Sequence, residues 1–106
     1  MNKQPLDKQL LSQIIELILE YKTPEKILLF GSRSGENFKE TSDIDLAIFA
    51  KEWTDTDFNL VKNSLEEFIK TPLKFDLVNF YGIKKTSLKE KILKEGELLY
   101  EQRKNQ

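Results

Sequence analysis

Two aspartates, Asp43 and Asp45, stand one residue apart in the otherwise apolar segment DIDLAIFA at residues 43–50. If this segment is a strand, both carboxylates lie on one face, roughly 6.5–7 Å apart along the chain, because strand side chains alternate between faces. Two like charges about 4 Å apart repel by on the order of 4 kcal/mol at an effective dielectric constant near 20. A divalent cation reverses the sign of that energy, and Mg²⁺ prefers carboxylate oxygens together with substrate phosphates. The pair therefore predicts a metal-dependent site that handles phosphate groups.

Two further features point to the same chemistry. Asp76 is the acidic residue of KFDLVNF at residues 74–80, which alternates like a strand. If that strand lies beside the first, three carboxylates converge, which is enough for a site with two metal ions. Gly31 and Ser32 end another apolar segment, where glycine permits close backbone approach and the hydroxyl is a donor to phosphate oxygens. Arg33 can add a charge-assisted contact to phosphate.

The composition limits the other kinds of chemistry. The chain of 106 residues has neither cysteine nor histidine, which excludes a disulfide framework, a thiol nucleophile, a histidine base and the usual zinc sites. Seventeen basic and eighteen acidic residues give a net charge of −1, so we do not expect direct nucleic-acid binding. No apolar run has the length of a signal segment or a membrane span, so a cytoplasmic protein without membrane contact is expected.

The hydrophobic pattern predicts alternating helices and strands in one domain, 1–106, with a core at about residues 6–101 and a frayed C-terminal tail. The predicted helices are 6–21, 54–70 and 87–95, with a short one near Ser32, and the predicted strands are 25–31, 43–50, 74–80 and 97–101. Thr54, Asp55 or Thr56 is expected to cap the second long helix, and Ser87 with Glu90 to form a capping box. This order predicts an α+β fold with a small mixed sheet flanked by helices.

Together these residues carry a family resemblance. Gly31-Ser32, nine intervening residues and then Ser42-Asp43-Ile44-Asp45-Leu46 resemble the GS…DxD signature of the DNA polymerase beta-type nucleotidyltransferase superfamily. The short length and the strand around Asp76 make residues 6–101 similar to the minimal nucleotidyltransferases, the MntA-like antitoxins encoded beside HEPN-domain proteins.

The resemblance implies a polymerase beta-like palm fold and a reaction. In that family AMP moves from ATP to a hydroxyl, a tyrosine of the HEPN partner, with release of pyrophosphate, and this silences a toxic ribonuclease. It implies a hetero-oligomer with the toxin and two Mg²⁺ ions, with Asp76 also helping to deprotonate the attacking hydroxyl. The implied metal-binding and catalytic residues are Asp43, Asp45 and Asp76, and the implied nucleotide-binding residues are Gly31, Ser32, Arg33 and Ser42.

One departure from the family pattern keeps alternatives open. Family loops often read GSRARG or GSRAKG, but here the fifth and sixth places hold Gly35 and Glu36, so one positive charge on the phosphate side is missing. A non-catalytic antitoxin that masks its partner by binding is therefore an alternative, as is transfer to a small-molecule hydroxyl. Taken without the other motifs, Asp45 fits a solvated residue on an open sheet face.

Two features outside the motif have competing interpretations. Lysines cluster in and before the last predicted helix, where a solvated face is the simpler interpretation and a contact with RNA or a partner is the alternative. The lysines are Lys84, Lys85, Lys89, Lys91 and Lys94. Trp53 lies in a loop expected near the site, and packing over a helix start is the simpler explanation than stacking on a base.

Overall fold

The computed structural model describes residues 8–30, 44–71 and 74–103 of the chain. These ranges contain helices, strands and one 3-10 turn at Phe80–Gly82. The elements are α1 (Lys8–Tyr21), β1 (Lys26–Phe30), β2 (Ile44–Phe49), α2 (Asp55–Phe68), β3 (Phe75–Asn79), α3 (Thr86–Glu95) and β4 (Glu97–Glu101). None of the helices in these ranges is long and apolar enough to cross a bilayer.

The four strands form one mixed sheet in the order β3-β2-β1-β4. β1 is antiparallel to both of its neighbours, β2 and β4, whereas β2 and β3 are parallel. The predicted α+β fold with a mixed sheet is therefore confirmed. β4 lies at one edge of the sheet and β3 at the other.

The larger core lies between one face of the sheet and the helices α1 and α2. Alternate β2 residues supply the sheet side of this core, which Ile14 and Ile18 of α1 and Val61 and Leu65 of α2 cover. Those β2 residues are Ile44, Leu46 and Ile48, all fully buried. The period-2 pattern of the strand and the wide apolar stripe of α1 thus have one physical cause, the burial of both against each other.

A smaller core covers much of the other face. Ile92 of α3 and Phe80 pack there against Leu28, Ala47 and Phe49, and the rings of Phe80 and Phe49 stack with centroids 4.2 Å apart. β2 is therefore buried on both faces from Leu46 onward. This double burial explains the unbroken apolar run LAIFA.

The helix starts are capped differently from one another. Thr54 caps α2, as predicted, because its hydroxyl accepts a hydrogen bond from the Asp57 N–H while the Asp57 carboxylate accepts one from the Thr54 N–H (3.2 and 2.7 Å). The capping box predicted at Ser87 is wrong, because α3 begins at Thr86 and places Ser87 inside the first turn. Its cap residue, Lys85, contributes only a backbone carbonyl, which accepts from the N–H groups of Leu88 and Lys89 (3.1 and 3.2 Å).

The capping carboxylate of Asp57 also joins α2 to the end of α1. The Tyr21 hydroxyl donates to one of its oxygens, and the Lys22 ammonium lies 3.3 Å from the other. The hydrogen bond from Tyr21, followed by that from the Thr54 N–H, lowers the pKa of Asp57 from 3.8 to about 2. A buried carboxylate is thus held ionised by donors from three residues in two segments of the chain.

Gly96 closes α3 and leads into β4 at a point where the backbone approaches the sheet closely. Its N–H donates to the Ile92 carbonyl at 2.8 Å, and its φ of −68° is accessible to every residue. A Cβ at this position would lie 2.5 Å from the Ile92 oxygen and 3.4 Å from Leu28 Cβ. Glycine is required here for space and not for a left-handed conformation.

We predict that Gly96→Ala destabilises the fold by about 1–3 kcal/mol, the usual cost of forcing an extra methyl group into a packed position. Gly82→Ala is the matched control, because the nearest atom to a Cβ there is 4.0 Å away. Urea unfolding followed by circular dichroism measures both variants. Equal stabilities for the two would contradict the role assigned to the close approach at Gly96.

We predict that Asp57→Asn lowers the melting temperature at pH 7, and that the difference from the unsubstituted protein shrinks as the pH falls from about 4 towards 2. The reason is that the folded-state pKa of about 2 lies below the ordinary value of 3.8, so the ionised form stabilises the fold above that window and loses the effect within it. Asp55→Asn, an exposed position in the same turn, controls for the loss of charge. A pH-independent difference between Asp57→Asn and the unsubstituted protein would refute this linkage.

Candidate active site

Asp45 of β2 and Asp76 of β3 are direct partners in the parallel ladder. Partners in a ladder have side chains on the same face of the sheet, and neighbouring strands lie about 4.8 Å apart. The two carboxylates that the sequence placed on separate strands are therefore side by side. The condition on which the sequence prediction rested, that the strand of Asp76 lies beside the strand of Asp45, is therefore met.

The pair occupies the open end of the face that α3 covers. Asp76 is exposed and Asp45 is half-buried, whereas Ala47, the next residue of β2 on that face, is 0% exposed. On the other side of Asp45 its antiparallel partner is Phe30, the last residue of β1. Phe30, Asp45 and Asp76 thus form one row across three neighbouring strands. Water and a ligand have access to the two carboxylates in this row.

Contacts at both ends of the β2–β3 pair fix its register. The Ile44 N–H donates to the Lys74 carbonyl at 2.8 Å, and the Asn79 side-chain amide donates to the Ala50 carbonyl at 3.1 Å. A slip of one residue would move Asp76 to the opposite face of the sheet. Sequence reasoning missed Asn79, although a polar side chain that ends an apolar strand is a signal of this kind of contact.

The remaining predicted site residues lie outside the described ranges. They are Gly31, Ser32, Arg33, Ser42 and Asp43, together with Gly35 and Glu36 of the departing loop. The two described residues on either side of segment 31–43, Phe30 and Ile44, are both next to the Asp45–Asp76 pair. Phe30, which precedes Gly31, is paired with Asp45, and Ile44, which follows Asp43, is paired with Phe75.

The donor set at this position suits a hard divalent cation. Two adjacent carboxylates offer oxygen ligands, which Mg²⁺ prefers over nitrogen or sulfur, and their mutual repulsion is relieved when a cation binds. Within residues 8–30, 44–71 and 74–103, no three acidic, histidine or cysteine side chains are grouped to hold a metal. Asp45 and Asp76 are thus two of the three predicted ligands, and the third, Asp43, falls outside those ranges.

The structure places Trp53 away from this site. Trp53 follows the C-terminal end of β2, whereas Asp45 is near its N-terminal end, so they are at opposite ends of the strand. The indole is 7% exposed and packs against Phe58 and Tyr21, with ring centroids 5.1 and 5.9 Å away. The prediction that it packs over the helix start is confirmed, and the expected proximity to the site is wrong.

A family model described as polymerase beta, nucleotidyltransferase matches residues 12–105. The chain belongs to this nucleotidyltransferase family. The matched segment includes both paired aspartates, so the family assignment and the carboxylate geometry concern the same part of the fold. A comparison with curated proteins found no match.

Solved structures show the same fold. A crystal structure of a toxin–antitoxin with AMP-PNP superposes with a TM-score of 0.73 and 24% identity, covering 88% of this chain and 74% of the other. The crystal structure of the toxin–antitoxin MntA–HepT gives a TM-score of 0.69 and 21% identity, covering 91% of this chain and 74% of the other. At these identities the likeness establishes the polymerase beta-like nucleotidyltransferase architecture.

We predict that Mg²⁺ with a non-hydrolysable ATP analogue raises the melting temperature of the protein, and that Asp76→Asn removes most of this rise. A ligand at 100 times its Kd stabilises the folded state by about 2.7 kcal/mol, and loss of a metal-binding carboxylate abolishes that linkage. Glu97→Gln is the control, since this exposed carboxylate lies on β4, three strands away from Asp76. An undiminished rise in Asp76→Asn would exclude Asp76 from the site.

Proposed function

We propose that this protein is a Mg²⁺-dependent nucleotidyltransferase that moves AMP from ATP to a tyrosine hydroxyl of a HEPN-type toxin, and thereby acts as the antitoxin of a toxin–antitoxin pair. The observation that carries the proposal is the in-register pairing of Asp45 with Asp76 at the open end of the sheet. Membership of the nucleotidyltransferase family supports the reaction class.

The similar structures support the finer parts of the proposal. One is a toxin–antitoxin with AMP-PNP, an analogue of ATP, and another is the pair MntA–HepT. The shared architecture over most of both chains makes an adenine nucleotide and a toxin partner the first candidates for this chain. The HEPN nature of that partner and the tyrosine acceptor come from the resemblance of the GS…DxD motif and the strand around Asp76.

The proposed site residues divide into two groups. Asp43, Asp45 and Asp76 would hold two Mg²⁺ ions, and Gly31, Ser32, Arg33 and Ser42 would bind the triphosphate. When bound, the ions would supply positive charge that offsets the negative charge developing on the α-phosphate and on the leaving pyrophosphate. Asp45, half-buried between β1 and β3, holds its carboxylate at a fixed position on that face.

In the proposed step, the acceptor oxygen forms a bond to the α-phosphorus while the bond from that phosphorus to the oxygen of pyrophosphate breaks. The hydroxyl proton passes to a carboxylate oxygen of Asp76. The chain has no histidine, and Asp76 is exposed next to Asp45, so its carboxylate is well placed both to accept a proton and to release it to water.

A second candidate function is a binding antitoxin that masks its toxin without transfer. It is favoured by one observation, the presence of Gly35 and Glu36 where related loops carry a basic residue and a glycine. Transfer to a small-molecule hydroxyl is a further alternative. It would require a pocket that binds the small molecule, whereas a protein partner brings its own acceptor to the site.

We predict that the purified protein, with the co-expressed neighbouring gene product, Mg²⁺ and ATP labelled at the α-phosphate, transfers label to the partner. Asp45→Asn and Asp76→Asn should each reduce labelling by at least about a hundredfold, since each removes charge stabilisation that acts mainly in the transition state. Both variants must keep the circular dichroism spectrum of the unsubstituted protein.

The acceptor is then identified by mass spectrometry as a tyrosine with one or more AMP units. A tight complex without any labelled partner would reject the transferase and leave the masking antitoxin. Label on an added aminoglycoside, but not on the protein partner, would instead support the small-molecule acceptor.

A further inference from the structure

The positive charge of the chain is concentrated on and before α3. Residues 84–95 contain five lysines and two glutamates, although the chain as a whole has a net charge of −1. Lys91 and Lys94 are exposed, and a spacing of three residues makes them neighbours on the helix surface. Lys89, in contrast, is half-buried, with its ammonium 5.9 Å from the centroid of the Phe80 ring.

Lys91 and Lys94 are not used in ion pairs with the rest of the described structure. Across residues 8–30, 44–71 and 74–103, the ion pairs join Lys22 to Asp57 at 3.3 Å and Lys26 to Glu101 at 3.8 Å. Glu90 and Glu95 flank the two lysines in the sequence, yet neither forms such a pair with them. The ammonium groups therefore remain available to a partner.

Two exposed leucines accompany these lysines. Leu93 of α3 is 57% exposed and Leu98 of β4 is 52% exposed. Leu98 is paired with Leu28 of β1, and Leu28 packs in the same cluster as Ile92 of α3. Lys91, Leu93 and Lys94 all lie on the exposed side of α3, with Lys91 and Leu93 on opposite flanks of the buried Ile92. We call these three residues together with Leu98 of β4 the α3–β4 surface.

The α3–β4 surface includes the junction of α3 and β4, which lies at the end of the sheet that holds the carboxylates. α3 ends at Glu95, and the next strand residue, Glu97, is paired with Leu29 of β1, one residue before Phe30, the partner of Asp45. β4 is two strands from β2 and three from β3, so the distances across the sheet are about 10 and 14 Å. An extended peptide of three to four residues, at about 3.3 Å per residue, spans the separation between β4 and the strands that carry the carboxylates.

We propose that the α3–β4 surface binds a segment of the acceptor protein that carries acidic residues and an apolar side chain such as leucine. Binding of this segment would place an acceptor hydroxyl, three to four residues from it in the sequence, at Asp45 and Asp76. This inference rests on the proposed function, because it names how the acceptor of that reaction is recognised. Charge complementarity selects the segment: its carboxylates pair with the ammonium groups of Lys91 and Lys94, and its apolar side chain packs against Leu93 and Leu98.

The same observations favour a protein segment over RNA. The lysines alternate with Glu90 and Glu95, which repel a phosphate backbone, and the exposed apolar residues of the surface are leucines and not aromatic rings on which bases stack. Apolar contacts framed by charge are typical of protein interfaces.

The test uses synthetic peptides in which one tyrosine follows an acidic, leucine-containing anchor at spacings of one to eight residues. Peptides with lysine in place of every glutamate serve as the charge control. Binding to the full chain is measured by fluorescence anisotropy without nucleotide, and transfer is measured separately with Mg²⁺ and α-labelled ATP. A single-stranded RNA oligonucleotide is measured in the same binding assay.

The charge-reversal variant Lys91→Glu/Lys94→Glu is compared with Lys8→Glu/Lys70→Glu, which makes the same change in net charge at exposed positions outside the α3–β4 surface. We expect the first variant to weaken binding of the acidic peptide and to raise its KM about tenfold, with kcat unchanged, and the control to do neither. Lys91→Gln/Lys94→Gln gives an intermediate loss without adding negative charge to the last turn of α3. Thermal melts confirm that each variant is folded.

The possible results separate this inference from the proposed function. Lysine-dependent peptide binding, with no transfer either to a peptide or to the co-expressed partner, supports the docking surface and rejects the transferase. Transfer that is best at spacings of three to four residues, and is impaired in the α3 variant, supports both. Transfer that is unaffected by the α3 variant, or lysine-dependent binding of RNA in place of the acidic peptide, overturns the docking inference and leaves the transferase in place.

Discussion

The parallel pairing of β2 with β3 is the contact on which the carboxylate site depends. Parallel neighbours cannot be joined by a tight turn and need a crossover, which α2 supplies here. α2 buries Val61 and Leu65 against the face of the sheet opposite to Asp45 and Asp76. The apolar packing on one face therefore fixes the register that sets two negative charges side by side on the other.

β2 passes from a partly exposed environment at Asp45 to a fully buried one further along the strand. From Leu46 to Phe49, β2 is buried on both faces and contributes to both cores, which favours apolar residues throughout. Asp45, on the same face as Ala47 and Phe49, is only half-buried, so a carboxylate is tolerated there. The change from charged to apolar residues along β2 thus follows the increase in burial.

Sequence reasoning predicted the elements and the types of the site residues, because strand alternation and helical periodicity are local signals. It also placed Thr54 among three candidate caps and predicted Trp53 as a packing residue. Local signals gave no information on which strands lie side by side, so the approach of Asp76 to Asp45 was conditional on the sheet order. The Ser87 cap failed for a related reason: α3 begins one residue earlier, at Thr86, and packs against the sheet through Leu88 and Ile92, which no capping pattern reveals.

The two aspartates differ in exposure in a way that suits the division of labour proposed for them. Asp45 is half-buried on a central strand, with Phe30 on one side and Asp76 on the other, so its carboxylate is less accessible to an acceptor and suited to binding a metal ion. Asp76 is exposed on β3, the edge strand of the sheet. An acceptor hydroxyl can therefore reach it from that edge, and the proton of the hydroxyl can pass through Asp76 to water. A partner protein can therefore supply the acceptor from outside the fold, and a domain of this size needs no acceptor pocket of its own.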